Sequence, residues 1–244
     1  MTNTPSADAV KSLAPAGRLR AAINIANPVL VQRNTVTGAP MGVTIDLAQG
    51  LAKRLGVPLE QVVIDGAGKS FDAVKSAACD IGFLAVEPAR AAEVDFTAPY
   101  VIIEGVYAVR ADGPLQSNDD VDRAGVRVAV NKGAAYDLFL TRSLKHATLT
   151  RTEDSFDLFL REGLEAVAGV KQAVVRFVEA SPVARLLPGR FMEIQQAMGT
   201  PKGRDAVARY LRGFVEEMKA SGFVADALKR SNQPDAAVAP AATN

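Results

Sequence analysis

The sequence predicts an α/β protein made of two units in series, each a mainly parallel sheet flanked by helices. Strand-like and helix-like segments alternate through most of the 244 residues, a pattern typical of strands joined by crossover helices. Residues 111–122 are rich in Asp, Asn, Ser and Gly and predict a loop, after which the alternation begins again. A hydrophobic content of 48% is enough for two cores of modest size.

The elements of the first unit follow from apolar periodicity and turn residues. Residues 45–55 predict a helix because apolar side chains recur on one face and Gly56 and Pro58 follow. A shorter helix is predicted over residues 71–78. Strands are predicted over residues 19–26, 62–64, 80–86 and 101–109, the last of them broken at Gly105.

The second half repeats the cycle and then returns to a long helix. A strand over 126–130, a turn at Lys132-Gly133 and a helix over 135–144 are predicted in order. Further strands are predicted over 164–170 and 191–197. Residues 204–220 form an amphipathic helix that Ser221-Gly222 should stop, and the Ala- and Pro-rich residues 233–244 predict a loose tail.

Composition argues against several function classes. The 28 basic and 27 acidic residues leave a net charge of +1, so no broad field would attract nucleic acid. The single cysteine, Cys79, lies in an apolar run and is expected to be a buried small side chain. His146 is expected at the surface, without the companions that a metal site needs. We therefore expect no cofactor and no metal.

The N-terminal residues and the apolar stretches of the sequence indicate the expected cellular location of the protein. Residues 1–16 are small and polar, with no cationic stretch leading into an apolar segment, so no signal peptide is predicted. The expected location is the cytoplasm, or the periplasm if a leader has been removed. No stretch approaches the roughly twenty apolar residues of a membrane-spanning helix, so membrane insertion is not expected.

One segment carries a family resemblance. Residues 93–100 read EVDFTAPY and follow Pro88-Ala89-Arg90, which resembles the bacterial solute-binding protein family 3, where an arginine precedes a DFTxPY segment. Residues 17–20 at the first strand, 42–48 at the first helix and 126–133 at the second-unit strand and turn are similar to the family in order and spacing. With residues 200–230, the resemblance extends from about Gly17 to Arg230.

The resemblance implies a type II periplasmic-binding-protein-like fold with two lobes and two crossover hinge strands, near residues 105–109 and 194–198. The lobes are expected at residues 1–107 with 197–244, and at 108–196, with 233–244 as the loose tail. A small-molecule ligand would lie in the cleft between them. The protein is expected to be a monomer, and with a signal peptide its partner would be an ABC permease.

In the first lobe, Arg90 matches the arginine that binds a ligand carboxylate in the family, because a planar guanidinium fits two oxygens. The segment before Arg90 replaces the family's hydroxyl groups with apolar side chains. Other candidate ligand-binding residues of this lobe are Asn24, Asn27, Phe83, Leu84 and Ala85.

In the second lobe, Lys132, Gly133, Ala134, Ala135 and Tyr136 form a strand-to-helix turn whose backbone N–H groups favour an anion. Residues 164–170 resemble the family's DAxxxD strand, with Glu165 at the first aspartate. Gly169 and Val170 end that strand, and Val170 replaces the aspartate that usually binds the ligand's ammonium. An organic acid or another polar metabolite is therefore favoured over an ordinary α-amino acid.

The crossing strands add Glu104 and Gln195 as ligand-binding candidates, with Gln196 in place of Gln195 if the strand faces the other way. The favoured function is non-enzymatic binding of an amino-acid-like or organic acid ligand. The first alternative is an enzyme on the same scaffold, such as a dehydratase of a cyclic carboxylic acid, with Glu87, Glu104 or Glu165 as its acid. The second is the effector domain of a regulator, disfavoured because no helix-turn-helix fits at either end.

Overall fold

The computed structural model describes residues 4–242 and places them in two units. The first unit contains the residues up to Ile102 together with those from Gln195 onward, and the second contains Ile103–Ile194. The sequence placed both boundaries a few residues further along the chain, at 107 and 196. The chain enters the second unit within one strand and leaves it within another, because both crossings lie inside long strands.

The elements alternate between helix and strand. In chain order they are α1 (Ala7–Leu13), β1 (Leu19–Asn24), β2 (Gln32–Arg33), β3 (Pro40–Met41), α2 (Val43–Leu55), β4 (Leu59–Ile64), α3 (Ala67–Lys75), β5 (Ile81–Ala85), α4 (Pro88–Ala91), β6 (Val94–Arg110), β7 (Arg127–Asn131), α5 (Ala135–Ser143), β8 (Thr148–Thr152), α6 (Ser155–Glu162), β9 (Ala166–Val170), α7 (Lys171–Ala180), β10 (Ala184–Leu186), β11 (Met192–Pro201), α8 (Asp205–Ala220), α9 (Phe223–Arg230) and β12 (Ala237–Val238). A 3₁₀ turn, Asn118–Val121, lies in the predicted loop.

In the first unit, β4, β1 and β5 are parallel neighbours, and β11 pairs antiparallel with β5. All five residues of β5 are buried, as expected for a strand covered on both faces. Helix α2 ends as predicted at Gly56, whose φ of 67° is the left-handed conformation that glycine adopts readily. Small and branched side chains of β1, α3 and β5 form a core that includes Ala22, Val74 and Leu84.

In the second unit, β8, β7 and β9 are parallel neighbours, while β6 runs antiparallel to β9 and β10 pairs with β6. The core includes Ala129, Phe159 and Val167, and Phe156 and Phe177 stack with ring centroids 4.6 Å apart. Helix α6 begins at Asp154, whose carboxylate accepts the N–H groups of the first turn. Each unit therefore has a mainly parallel sheet flanked by helices, as predicted.

The predicted break of a strand at Gly105 is wrong, because β6 runs through it without interruption. Gly105 pairs with Val170, and its carbonyl accepts the N–H of Phe191 at 3.0 Å. A Cβ at this position would lie 2.7 Å from the side chain of Met192. Glycine is present here because another segment packs tightly on the strand, rather than because the chain turns.

The predicted loose tail is also wrong over much of its length. Strand β12 pairs with Val101 and Ile102 of β6, and the N–H of Ala239 donates to the carbonyl of Tyr100 at 3.1 Å. Ala236 and Ala239 are buried. Short apolar side chains let this segment lie close against the sheet, while residues 243–244 of the predicted tail lie outside the described part of the chain.

Three shorter differences concern boundaries and missed elements. Helix α3 begins at Ala67 and ends at Lys75, earlier at both ends than predicted, and β4 begins at Leu59. Helices α6 and α7 and strand β8 lie in stretches that the sequence left unassigned.

Across residues 4–242 there is no helix with the length and apolarity needed to cross a membrane, and no cluster of potential metal ligands.

Candidate functional site

The first unit places several predicted residues at one edge of its sheet. Strands β1 and β5 are parallel, so their carboxyl ends, at Asn24 and Ala85, meet at the same edge. Helix α4 with Arg90 follows β5 directly. In open α/β sheets the carboxyl ends of the strands are where ligands bind.

Arg90 is buried, with 3% of its surface exposed, and is held by its own unit. Its Nη1 donates to the carbonyl of Ala85 at 3.3 Å, and its guanidinium lies 5.9 Å from the centre of the Phe71 ring. Burial lowers the pKa of Arg90, and the carboxylates of Glu87 and Asp72 act in the opposite direction. An arginine remains charged despite such a shift, so this edge carries a buried, positioned cation.

Asn24 and Asn27 shape the loop that follows β1. The Oδ1 of Asn24 accepts N–H groups of Ala26 at 3.0 Å and of Gly66 at 3.3 Å. The Oδ1 of Asn27 accepts the N–H of Val29 at 3.2 Å. Both amide oxygens are therefore engaged in local turns of the kind that asparagine favours.

The three predicted residues of β5 are mainly core residues. Phe83 packs edge-on against Tyr100, with ring centroids 6.0 Å apart, and Leu84 belongs to the core that also contains Cys79. Ala85 is buried and offers its backbone carbonyl to Arg90. Cys79 is buried, as predicted, and this burial raises the pKa of its thiol. His146 is exposed, as predicted.

The turn after β7 differs from the expected anion site. The N–H of Gly133 donates to Oδ2 of Asp137 at 2.9 Å, and that of Ala134 donates to the carbonyl of Asn131 at 3.1 Å. The N–H of Lys132 donates to the carbonyl of Thr152 at 2.8 Å. The expectation of free N–H groups at this turn is therefore wrong at these three residues.

Asp137 is the carboxylate that occupies this turn. It is buried, and its Oδ1 accepts Nε of Arg151 at 2.8 Å. Arg151 also donates to the hydroxyl of Thr141 at 2.7 Å. A chain carboxylate at the start of α5 thus takes the position that an external anion would need.

Tyr136, Ala134 and Ala135 are buried at the start of α5. Burial raises the pKa of Tyr136. Tyr136 is 7% exposed, and its role in ligand binding stays a prediction. Lys132 is exposed beside it.

The end of β9 carries Gly169 and Val170. A Cβ at Gly169 would lie 2.9 Å from Cγ2 of Val174, so glycine lets helix α7 approach the strand closely. Val170 is partly exposed and precedes α7 at the N-cap position. Glu165 lies at the opposite end of β9, where its carboxylate binds Nη2 of Arg127 at 2.7 Å. Glu165 is therefore remote from the edge where Val170 lies.

Glu104 and Lys171 meet next to Val170. Oε2 of Glu104 accepts Nζ of Lys171 at 2.8 Å, and Oε1 accepts Nη1 of Arg190 at 3.0 Å. The hydrogen bond from Lys171 is the main cause that lowers the pKa of Glu104. Sequence reasoning missed Lys171 and Arg190. A lysine placed directly after a predicted strand was the available signal for the first of them.

The structure shows which of the neighbouring candidates Gln195 and Gln196 on β11 has a buried side chain. The side chain of Gln195 is exposed, and its carbonyl accepts the N–H of Val86 at 2.8 Å. Gln196 is buried and pairs with Ala85. Gln196 is therefore the one that turns inward from β11.

Two α/β units, each with a mainly parallel sheet and joined by strands β6 and β11, define a type II periplasmic-binding-protein-like fold. The profile of the bacterial extracellular solute-binding proteins, family 3, matches residues 19–231. The chain therefore belongs to this family, whose members bind small molecules and work with ABC transporters. A search of the curated proteins found no match.

Several solved structures share the fold of this chain. A mutant of ArgBP from T. maritima is 22% identical, with a TM-score of 0.76, and covers 92% of this chain and 99% of its own. The solute receptor for L-cysteine of Neisseria gonorrhoeae is 22% identical, with a TM-score of 0.79 and coverage of 92% and 94%. AncCDT-1, an ancestral amino-acid-binding protein and precursor of cyclohexadienyl dehydratase, is 20% identical, with a TM-score of 0.74 and coverage of 91% and 98%.

Proposed function

We propose that the protein binds a small carboxylate-bearing solute by closing its two units on it, and that it serves ABC-type uptake. The observation that carries this proposal is the buried guanidinium of Arg90 at the carboxyl ends of β1 and β5. A buried cation at this edge favours an anionic ligand, and a guanidinium fork matches a carboxylate.

The second unit supports an acid over an ordinary α-amino acid as the ligand. Val170 has no side-chain acceptor for an ammonium group, and the nearby Glu104 already accepts from Lys171 and Arg190. Asp137 is engaged by Gly133 and Arg151. An ammonium bound by either carboxylate would have to share it with these donors, which weakens the attraction that it gains.

The experiment is a thermal-shift screen of amino acids, organic acids, amines and cyclic carboxylates, followed by calorimetry on the compounds that raise the melting temperature. Arg90→Lys keeps the charge but loses the fork, and we expect at least about tenfold weaker binding of a carboxylate. Arg209→Ala, at an exposed arginine of α8, is the matched control and should bind as the wild type does. Equal affinity of Arg90→Lys and wild type would remove Arg90 from the site.

A dehydratase is the second candidate, favoured by the burial of Glu87 close to Arg90. Ion pairing lowers the pKa of Glu104 and of Glu165, which makes both poor proton donors. Recovering each screened compound after incubation separates the two candidates. Intact compound supports binding alone, whereas conversion of a cyclic carboxylate would make the protein an enzyme.

A further inference from the structure

Helix α3 of the first unit is held close to strand β5 because a glycine of the strand faces it. A Cβ at Gly82 would lie 2.5 Å from Cγ2 of Val74, so the helix can approach this closely only where the strand has no side chain. Val74 belongs to the buried core that also contains Ala22 and Leu84. The position of α3 on the sheet is therefore fixed by close packing.

Phe71 lies one turn before Val74 on the same side of α3. Its side chain is partly buried and packs against the same core. The guanidinium carbon of Arg90 lies over the Phe71 ring, 5.9 Å from its centre. Because α4, which carries Arg90, follows β5 directly, one strand supports both partners of this contact.

The ring contact restricts a side chain that the polar contacts alone would hold less firmly. Only 3% of Arg90 is exposed, and a cation removed from water needs compensating interactions. The hydrogen bond from its Nη1 to the carbonyl of Ala85 is long, at 3.3 Å. An aromatic face attracts a cation through the ring quadrupole, and more strongly where water is excluded. The Phe71 ring therefore excludes orientations of the guanidinium that would move it away from the ring.

We propose that Phe71 is a positioning residue for Arg90 and holds the guanidinium in one orientation before a solute binds. This inference rests on the proposed function, in which Arg90 binds the carboxylate of the solute. A side chain that is already ordered loses less conformational freedom when it binds, so the ring increases the affinity for acids without touching them.

The first measurement follows the motion of Arg90 itself and needs no ligand. In protein labelled with ¹⁵N-arginine, the Nε–H resonance of Arg90 is identified by its loss in Arg90→Lys. We expect its order parameter to be close to the rigid value of about 0.85 in the wild type and to fall below about 0.6 in Phe71→Leu. Leucine keeps an apolar side chain in the core but removes the aromatic face.

Two further variants separate positioning from packing. Phe71→Tyr keeps the aromatic face and should restore the wild-type order parameter. Phe96→Leu makes the same change at another phenylalanine that packs on this core, and it is the matched control. It should lower the melting temperature about as much as Phe71→Leu does, while the order parameter of Arg90 stays at the wild-type value.

Calorimetry with pyruvate, benzoate and glutarate measures the consequence for binding. For an acid that the wild type binds, Phe71→Leu should weaken the affinity about threefold to tenfold, since the freed arginine must be ordered again. Phe71→Tyr and Phe96→Leu should stay within about twofold of the wild type.

The outcomes separate this inference from the proposed function. An Arg90 order parameter as high in Phe71→Leu as in the wild type would overturn the positioning role, and so would an equal fall in Phe96→Leu. A fall in Phe71→Leu alone, with unchanged affinity for a bound acid, would also overturn it. If the wild type binds none of the three acids, the order parameters decide the role of Phe71 by themselves, and the result counts only against the proposed function.

Discussion

The two units share one structural device at the start of their sheets. In the first unit, Arg20 on β1 binds Asp80 through its backbone N–H at 2.9 Å and its guanidinium at 2.7 Å. In the second, Arg127 on β7 binds Glu165 in the same way, at 2.8 Å and 2.7 Å. Each acidic residue lies just before the neighbouring parallel strand, so each pair fixes two adjacent strands at their amino ends.

The pairs differ in burial. Asp80 is fully buried and Arg20 is 24% exposed, whereas Glu165 is 35% and Arg127 43% exposed. A fully buried carboxylate depends on its partner far more than a solvated one does, because water cannot replace the lost contact. The first unit therefore relies on its pair for stability, while the second uses its pair mainly to set local geometry.

Unlike the amino ends of the strands, the carboxyl ends carry different charged residues in the two units. Asn24 is the last residue of β1 and Asn131 the last residue of β7. Each accepts an N–H at the start of the second helix that follows its strand, from Gly66 and from Ser155 respectively. Beyond these shared contacts, the first unit places the buried Arg90 at its edge, and the second places Lys171. The asparagine contacts, which both units share, are structural. The charged residues, which differ between the units, lie where we assign ligand binding.

The largest predicted effect is that of Arg20→Ala. Removing the partner of the buried Asp80 should cost about 3 kcal/mol of the free energy of unfolding, because the carboxylate remains buried without compensation. Urea denaturation measures this loss. A loss no greater than that of Arg127→Ala would contradict the difference that we assign to burial.

A smaller effect is expected for the two glycines that face helices. A Cβ at Gly82 would lie 2.5 Å from Cγ2 of Val74, and one at Gly169 would lie 2.9 Å from Cγ2 of Val174. Gly82→Ala should therefore destabilise by about 1–3 kcal/mol, and Gly169→Ala by less. Thermal unfolding of both variants orders them, and the reverse order would show that the second helix is held more rigidly than the first.

The smallest effect is a pH dependence in the second unit. The hydrogen bond from Arg127 is the main cause that lowers the pKa of Glu165, so the carboxylate stabilises the fold above the ordinary glutamate pKa. That contribution is lost as the pH falls through the lowered pKa of the folded protein. Glu165→Gln should remove this part of the acid dependence, which urea midpoints measured from neutral pH to pH about 3 would detect. An unchanged profile would contradict the role given to this pair.

Much of the fold could be predicted because its signals are local. Gly56 ends a helix with a regular apolar stripe, and the apolar run of β5 reads directly as a buried strand. The predicted break at Gly105 failed because the reason for this glycine lies at Met192, far along the chain. The prediction of a loose tail was wrong for a similar reason. The tail pairs with β6, and the composition of the tail does not reveal this distant partner.

The site could be predicted only in part. The family motif located Arg90, but its contacts with Ala85 and Phe71 depend on the packing around α4. The turn at Gly133 has the pattern of an anion site, yet Asp137 folds back onto it. No sequence rule distinguishes a carboxylate that points to solvent from one that caps the preceding turn.

The most direct test of the account is hydrogen exchange with and without the acid that raises the melting temperature most. We predict that the ligand slows exchange at the carboxyl ends of the sheets, in peptides that cover residues 85–92 and 168–174. Peptides that contain the Arg20 and Arg127 pairs should change little, because these pairs hold the strands with or without ligand. Protection confined to those pairs, with none near Arg90 or Lys171, would contradict the assignment of ligand binding to the carboxyl ends.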